Sequence, residues 1–235
     1  MLWFGSTSLC QLSLAQILAW FSLQNAAGRR LSLVTAYGGT LRPEQLFGPY
    51  AARKPVSTTQ IQLAKRLWYA FTAPTPVLLQ RLLSANLRAL PEVRTTIDQL
   101  LEDYPDRWDG LSRLERKLLH EIEGMGSASA AFAVGSVITT ERVGDTLLFD
   151  MLRGFVTAFY PLLNFAEPFS GRVESHQFNR AKLTLTTTGQ QVLAGKTDHI
   201  ALNGIDRWIG GAHLLGNHIR WRWDDRKQKV VSVRK

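Results

Sequence analysis

The residues best suited to chemistry in this chain are arginines and lysines in its last third. Arg220 and Arg222 alternate with two tryptophans in the run HIRWRW. A phosphate contact needs only a lysine or arginine on an accessible face, whereas base readout needs an element placed in a groove of the nucleic acid. The nucleic-acid-binding candidates are Arg172, Arg180, Lys182, Lys196, Arg220 and Arg222.

A second polar block ends at His213 and reads NGIDRWIGGAH. Its glycine-containing pairs predict tight turns and close approach of the backbone. Asp206 and Arg207 could bind a polar ligand. The favoured alternative is that Asp206 caps the turn and Trp208 anchors the terminal hairpin to the core. The block's residues of open role are Asn203, Gly204, Asp206, Arg207, Trp208, Gly210, Gly211 and His213.

Signatures of catalysis and of metal binding are weak. No two of the five histidines have the spacing H-x-x-x-H, and a single cysteine cannot complete a zinc site. The glycine motifs of nucleophile elbows and phosphate-binding loops are absent from the sequence. We therefore expect no catalytic residue, metal or cofactor. Gly5–Ser8 could offer backbone N–H groups to an anion, but we expect Ser8 simply to cap the next helix.

The net charge of +9 is unevenly distributed. Residues 1–91 carry nine cations and one acid, residues 92–169 seven cations and thirteen acids, and residues 170–235 twelve cations and five acids. Two basic ends therefore flank an acidic middle, which favours a polyanionic partner, units that attract each other, or ordinary surface charge. The lone Cys10 excludes an internal disulfide and fits a cytoplasmic protein. The uncharged N-terminal run lacks the leading cations of a signal peptide and is too polar for a membrane span.

The elements that would position these residues predict an α+β or α/β fold. Residues 1–56 predict a partial β-α-β unit, with strands at Leu2–Phe4 and Leu31–Thr35 and an irregular stretch over 41–56. Because the chain begins inside a strand, we expect the upstream part of the sheet to be missing or supplied by another chain. Residues 57–108 predict a helical connector.

Residues 109–235 predict a winged-helix-like domain with a terminal β-hairpin. Three helices, the last starting at Asp145, precede wing strands around Gly171–Leu185 and a final helix at Gln190–Ala194. In the hairpin, strict alternation over His218–Trp223 predicts a half-buried strand with Arg220 and Arg222 on its solvent face.

The chain resembles an uncharacterised bacterial domain-of-unknown-function family. The resemblance rests on Leu2–Gly5, Gln11–Leu14 and Leu111–Glu115, and most on Leu185–Gly195 and Asn203–Trp208. Family members pair an N-terminal α/β domain with a C-terminal winged-helix-like region, so the resemblance implies an N-terminally short member. Members often have acids in the first strand-helix loop, where this chain has serine and threonine. The family implies no activity.

These observations favour a bacterial, cytoplasmic, non-enzymatic protein that binds nucleic acid or a protein partner through its basic C-terminal region. The helix at Asp145–Thr157 argues against DNA reading, because Arg153 is its only cation beside Asp145 and Asp150. The alternative is a nucleotide- or phosphate-handling enzyme, possibly incomplete here. Its pocket would be lined by Ser6, Thr7 and the Thr35–Gly39 turn.

Overall fold

The computed structural model describes residues 1–24, 31–35, 42–141, 143–166 and 175–233. They form two compact units of mixed α and β structure, which confirms the predicted class. The first unit contains residues 1–101 and 209–212, and the second contains residues 102–208 and 213–235. No described helix has the length and apolarity needed to cross a membrane. The predicted division into three segments stays a prediction.

The first unit begins with the predicted β-α-β arrangement. Strands β1 (Leu2–Phe4) and β2 (Ser32–Thr35) are parallel, and helix α1 (Ser8–Leu23) lies between them in the chain. The prediction that Ser8 caps α1 is wrong. Thr7 is the N-cap, since its hydroxyl accepts from the Cys10 amide at 3.3 Å, while Ser8 donates to Gln99.

The stretch 41–56 is more ordered than predicted. Beyond residue 41, which lies outside the described residues, it forms a 3-10 turn (Pro43–Gln45), helix α2 (Phe47–Ala51) and strand β3 (Lys54–Pro55). Strand β3 pairs antiparallel with β2, so the sheet order is β1-β2-β3. Elements this short have no readable periodicity, and β3 takes its hydrogen bonds from the neighbouring strand β2.

Three further helices lie in the stretch that was predicted to be helical: α3 (Thr58–Phe71), α4 (Val77–Leu82) and α5 (Val93–Glu102). A capping box starts α3, because Ser57 and Gln60 bond to each other's backbone amides. Helix α1 packs on α3, and residues such as Leu18 and Leu67 are fully buried.

The second unit contains the three predicted helices, with one short strand between the first and the second of them. The helices are α6 (Arg113–Gly124), α7 (Ala130–Glu141) and α8 (Asp145–Thr157). Strands β4 (Ala128–Ser129), β5 (Leu163–Phe165) and β6 (Lys182–Leu185) form an antiparallel sheet in the order β4-β6-β5. The helices and one sheet face share a core that includes Leu118, Leu148, Leu152 and Leu183.

Two details of the predicted wing are wrong. Residues 171–174 lie outside the described part of the chain, and helix α9 (Ser175–Arg180) occupies most of the segment expected to be strand. Helix α10 (Thr187–Leu193) starts three residues earlier than predicted, because Thr186 caps it by accepting from the Gly189 amide at 2.9 Å.

A short helix and two hairpins follow. Helix α11 (His199–Asn203) precedes β7 (Asp206–Ile209) and β8 (Ala212–Leu215), which pair with each other. Strands β9 (Trp221–Asp224) and β10 (Lys229–Ser232) form the predicted terminal hairpin.

Candidate functional site

The predicted phosphate-binding cations occupy different environments. Arg180, Lys182, Lys196 and Arg220 are exposed, and Arg172 lies outside the described residues. The prediction that Arg222 lies on a solvent face is wrong, because this residue is only 6% exposed. Its guanidinium donates to the Asp198 carboxylate at 2.8 Å and to the Asp106 carbonyl oxygen at 3.3 Å. A buried charge needs such partners.

A pocket of about 540 Å³ in the second unit nevertheless contains both Arg220 and Arg222. We call it the basic pocket. Three arginines and one acid line it, together with neutral polar and apolar residues. The lining residues used below are Arg107, Asp198, His218, Arg220, Arg222 and Ser232. Three guanidiniums against one carboxylate give the lining a formal charge of +2 with His218 neutral.

The arginines of the basic pocket differ in how far they are neutralised. Arg222 pairs with Asp198, and Arg107 pairs with Asp224 at 2.8 Å. Arg220 donates from Nε to the Ser232 hydroxyl at 3.1 Å, and its guanidinium carbon lies 4.9 Å from the Trp221 ring centroid. Within the described ranges, no carboxylate pairs with Arg220. Its charge is therefore available to an anion.

A second pocket, of about 460 Å³, collects half of the polar block: Asn203, Gly204, Asp206 and Arg207. We call it the acidic pocket. Helix α8 supplies its opposite wall, including Asp150 and Gly154, and Glu115 and His199 also line it. In the sequence, Asp150 is only a negative charge that argues against DNA reading by its helix. The local pattern around Asp150 does not indicate that it lines a pocket with residues of the polar block.

A buried ion pair lies in the acidic pocket. Arg207 donates to both carboxylate oxygens of Glu115, whose side chain is 4% exposed. Burial by itself would raise the pKa of Glu115, but Arg207 and hydrogen bonds from Ser112 hold that pKa at about 2. Burial raises the pKa of nearby Asp103 to about 6, although Arg113 and Arg207 oppose this rise. Carboxylates therefore crowd this region.

Asn203 has a structural role in the same pocket. Its side-chain oxygen accepts from the Tyr160 amide at 2.8 Å, and its Nδ2 donates to the Tyr160 carbonyl oxygen at 3.0 Å. The same Nδ2 lies 3.1 Å from Nδ1 of His199. Gly204 follows with a φ of 71°, a conformation that favours glycine at this helix end.

The favoured structural roles of Asp206 and Trp208 are wrong. Trp208 is 64% exposed and stacks on His213, with ring centroids 4.3 Å apart and ring planes inclined by 4°. Asp206 also contacts His213, since its carboxylate lies 2.8 Å from Nε2 of that ring. The three side chains form an exposed cluster and do not anchor the hairpin to a core.

The predicted close backbone approach at Gly210 and Gly211 is confirmed within the first unit. The Gly211 amide donates to the Phe71 carbonyl oxygen at 2.9 Å. A Cβ on Gly211 would lie 2.0 Å from the Thr72 carbonyl oxygen, and one on Gly210 would lie 2.1 Å from that of Phe71. These two glycines therefore serve packing.

The alternative N-terminal site receives little support. A pocket of about 310 Å³ is lined by Thr35, Lys54, Gln60 and others, but Ser6 and Thr7 are not among its lining residues. Residues 36–39 of the proposed turn lie outside the described residues. In the part of the chain that the structure describes, no three metal-ligating side chains cluster.

Comparison with protein-family models, with curated protein sequences and with solved structures gave no match to this chain. The resemblance to the bacterial domain-of-unknown-function family therefore stays a prediction.

Proposed function

We propose that this chain is a nucleic-acid-binding module whose basic pocket holds a backbone phosphate. The observation that carries this proposal is Arg220, an exposed guanidinium at a pocket with a formal charge of +2 and without a described acidic partner. A phosphate accepts the parallel N–H groups of a guanidinium, and charge-assisted bonds of this kind are about twice as strong as neutral ones.

The order α6, β4, α7, α8, β5, α9, β6, with β5 and β6 paired, supports a winged-helix-like arrangement in the second unit. Helix α8 would then stand where such domains place their recognition helix. Its exposed side chains include Asp145, Leu147 and Asp150, which do not suit base edges or phosphates. We therefore propose binding that is independent of base sequence and driven by phosphate contacts.

The exposed cations outside the basic pocket fit the same mode of binding. Arg180, Lys182 and Lys196 would add non-specific attraction without a defined contact. The protein would act in the cytoplasm, where nucleic acid is abundant and where its free Cys10 stays reduced.

Fluorescence anisotropy with labelled 20-nucleotide single strands and duplexes of random sequence tests the proposal. We expect Arg220→Gln to weaken binding about tenfold, equivalent to about 1.4 kcal/mol. The slope of log K against log salt concentration should become shallower by about 0.9 for duplexes, because one phosphate contact is lost. Lys229→Gln is the control, since it removes one exposed charge outside the pocket lining.

Equal effects of the two variants would contradict a specific role of Arg220. Inorganic phosphate and ATP serve as competitors in the same assay. If either displaces the oligonucleotide at micromolar concentration, the basic pocket serves a small phosphorylated ligand and not a nucleic acid.

A further inference from the structure

The acidic pocket combines an apolar wall with an excess of negative charge. Leu147, Met151 and Phe155 of α8 line it together with Ile200 and Ile205. Its volume of about 460 Å³ lies within the range of small-molecule sites, which are mostly apolar with a few polar groups.

Most polar groups in this pocket already have partners within the protein. Arg207 is bound to Glu115, and Asn203 is bound to the Tyr160 backbone. A ligand therefore cannot use Arg207 as a free cation without breaking a buried ion pair. An anionic ligand would also meet three carboxylates in the lining: Glu115, Asp150 and Asp206.

The Asp150 and Asp206 carboxylates remain on the surface of the pocket. Asp150 is exposed on α8 and forms no hydrogen bond or ion pair with any residue in the described ranges. Asp206 contacts His213 with one oxygen only. With the Glu115–Arg207 pair neutral overall, these two carboxylates give the lining a formal charge of −2 with His199 neutral.

His199 provides a second, independent feature. It is only 9% exposed and lines the pocket, and its ring packs edge-on against Phe155. The Tyr160 contacts orient Asn203 so that its Nδ2 donates to Nδ1 of His199. Burial lowers the pKa of His199, which favours the neutral ring. With Nδ1 accepting from Asn203, the hydrogen of a neutral ring lies on Nε2. No described residue accepts from this Nε2.

We propose that the acidic pocket binds a small organic cation with a primary ammonium group and an apolar body. The ammonium group lies between Asp150 and Asp206, and the body packs on Met151 and Phe155. An acceptor atom of the ligand takes the hydrogen of His199 Nε2. A free amine and a lysine side chain share this chemistry.

Calorimetric titration of the full chain tests the charge preference with probes of one chain length. We expect hexylammonium to bind at least fivefold more tightly than hexan-1-ol, and hexanoate to bind weakest of the three. Nα-acetyl-lysine methylamide is a further probe. Tighter binding than hexylammonium identifies a peptide lysine as the ligand, whereas weaker binding identifies a free amine.

Two variants locate the site, each with a matched control. Gly154→Leu fills the pocket and should abolish hexylammonium binding, because a Cβ at Gly154 meets no atom within 4 Å. Gly135→Leu, at an equally open helical glycine outside the lining, should bind normally. Asp150→Asn should weaken binding three- to tenfold, while Asp145→Asn on the same helix should not.

Three results would overturn the proposal. Equal affinity for hexylammonium and hexan-1-ol would exclude recognition of charge. Normal binding by Gly154→Leu would place the ligand elsewhere. If Gly154→Leu does not fold, as judged by circular dichroism, an unchanged affinity in Asp150→Asn would be sufficient to reject the site.

Discussion

The two pockets of the second unit carry opposite charge, although each contains an arginine paired with a carboxylate. In the basic pocket this pair is Arg222 with Asp198, and in the acidic pocket it is Arg207 with Glu115. The groups added around each pair set the sign. The basic pocket adds Arg220, which is unpaired, and Arg107, which Asp224 already pairs, whereas the acidic pocket adds two carboxylates. A paired arginine holds the fold, whereas an unpaired one is available to a ligand.

The largest expected effect comes from breaking the pair in the acidic pocket. We expect Arg207→Met to lower the free energy of unfolding by about 3–5 kcal/mol at pH 7, since it leaves Glu115 buried without its partner. Urea denaturation measures this change. Adding Glu115→Gln should restore most of the loss, because a glutamine keeps the capping box and needs no counterion. A loss below about 1 kcal/mol would show that the pair is not structural.

Breaking the pair in the basic pocket should cost less. We expect Arg222→Met to lower the free energy of unfolding by about 2–3 kcal/mol, because Asp198 is 26% exposed and water can replace part of its partner. Arg220→Gln is the comparison and should leave the unfolding free energy unchanged. Equal destabilisation by both variants would contradict the distinction between paired and unpaired arginines.

The burial of Asp103 near the acidic pocket predicts a pH dependence. Asp103 has a pKa of about 6 in the fold and an ordinary value of 3.8, so its ionisation opposes folding. Its contribution is favourable below about pH 4 and is lost as the pH rises through 6. The free energy of unfolding of Asp103→Asn, measured relative to the wild type, should therefore rise by about 1–2 kcal/mol as the pH increases from 4.5 to 8. Urea denaturation of both proteins at both pH values measures this change. The same difference in unfolding free energy between the two proteins at pH 4.5 and at pH 8 would contradict a raised pKa of Asp103.

The sequence predicted local structure better than it predicted the sites. The β-α-β order at the N-terminus and the helices of the second unit follow from the periodicity of neighbouring residues. The capping boxes that start α3 and α6, at Ser57 and Ser112, likewise join residues three positions apart. The prediction that Arg222 faces solvent was wrong because alternation shows which residues share a face of a strand but not whether both faces are covered. Its partner Asp198 is 24 positions away.

The pockets were not predictable for the same reason. Asp150 and Asp206 lie far apart in the chain and line the same pocket only because the fold brings α8 and β7 to it. The prediction that Trp208 packs on the core was wrong because it assumed that a large aromatic residue is buried, as is usual. Trp208 instead stacks on His213 at the surface. Pairs between distant positions need a three-dimensional arrangement that local patterns do not specify.

The most direct test of the account compares Arg220→Gln and Asp150→Asn in the oligonucleotide-binding assay at several salt concentrations. Both variants change one exposed residue, and each changes the lining of one pocket. We predict about tenfold weaker binding and a shallower salt dependence for Arg220→Gln, and unchanged or slightly tighter binding for Asp150→Asn. Wild-type affinity and an unchanged salt slope for Arg220→Gln would contradict the assignment of the basic pocket to phosphate.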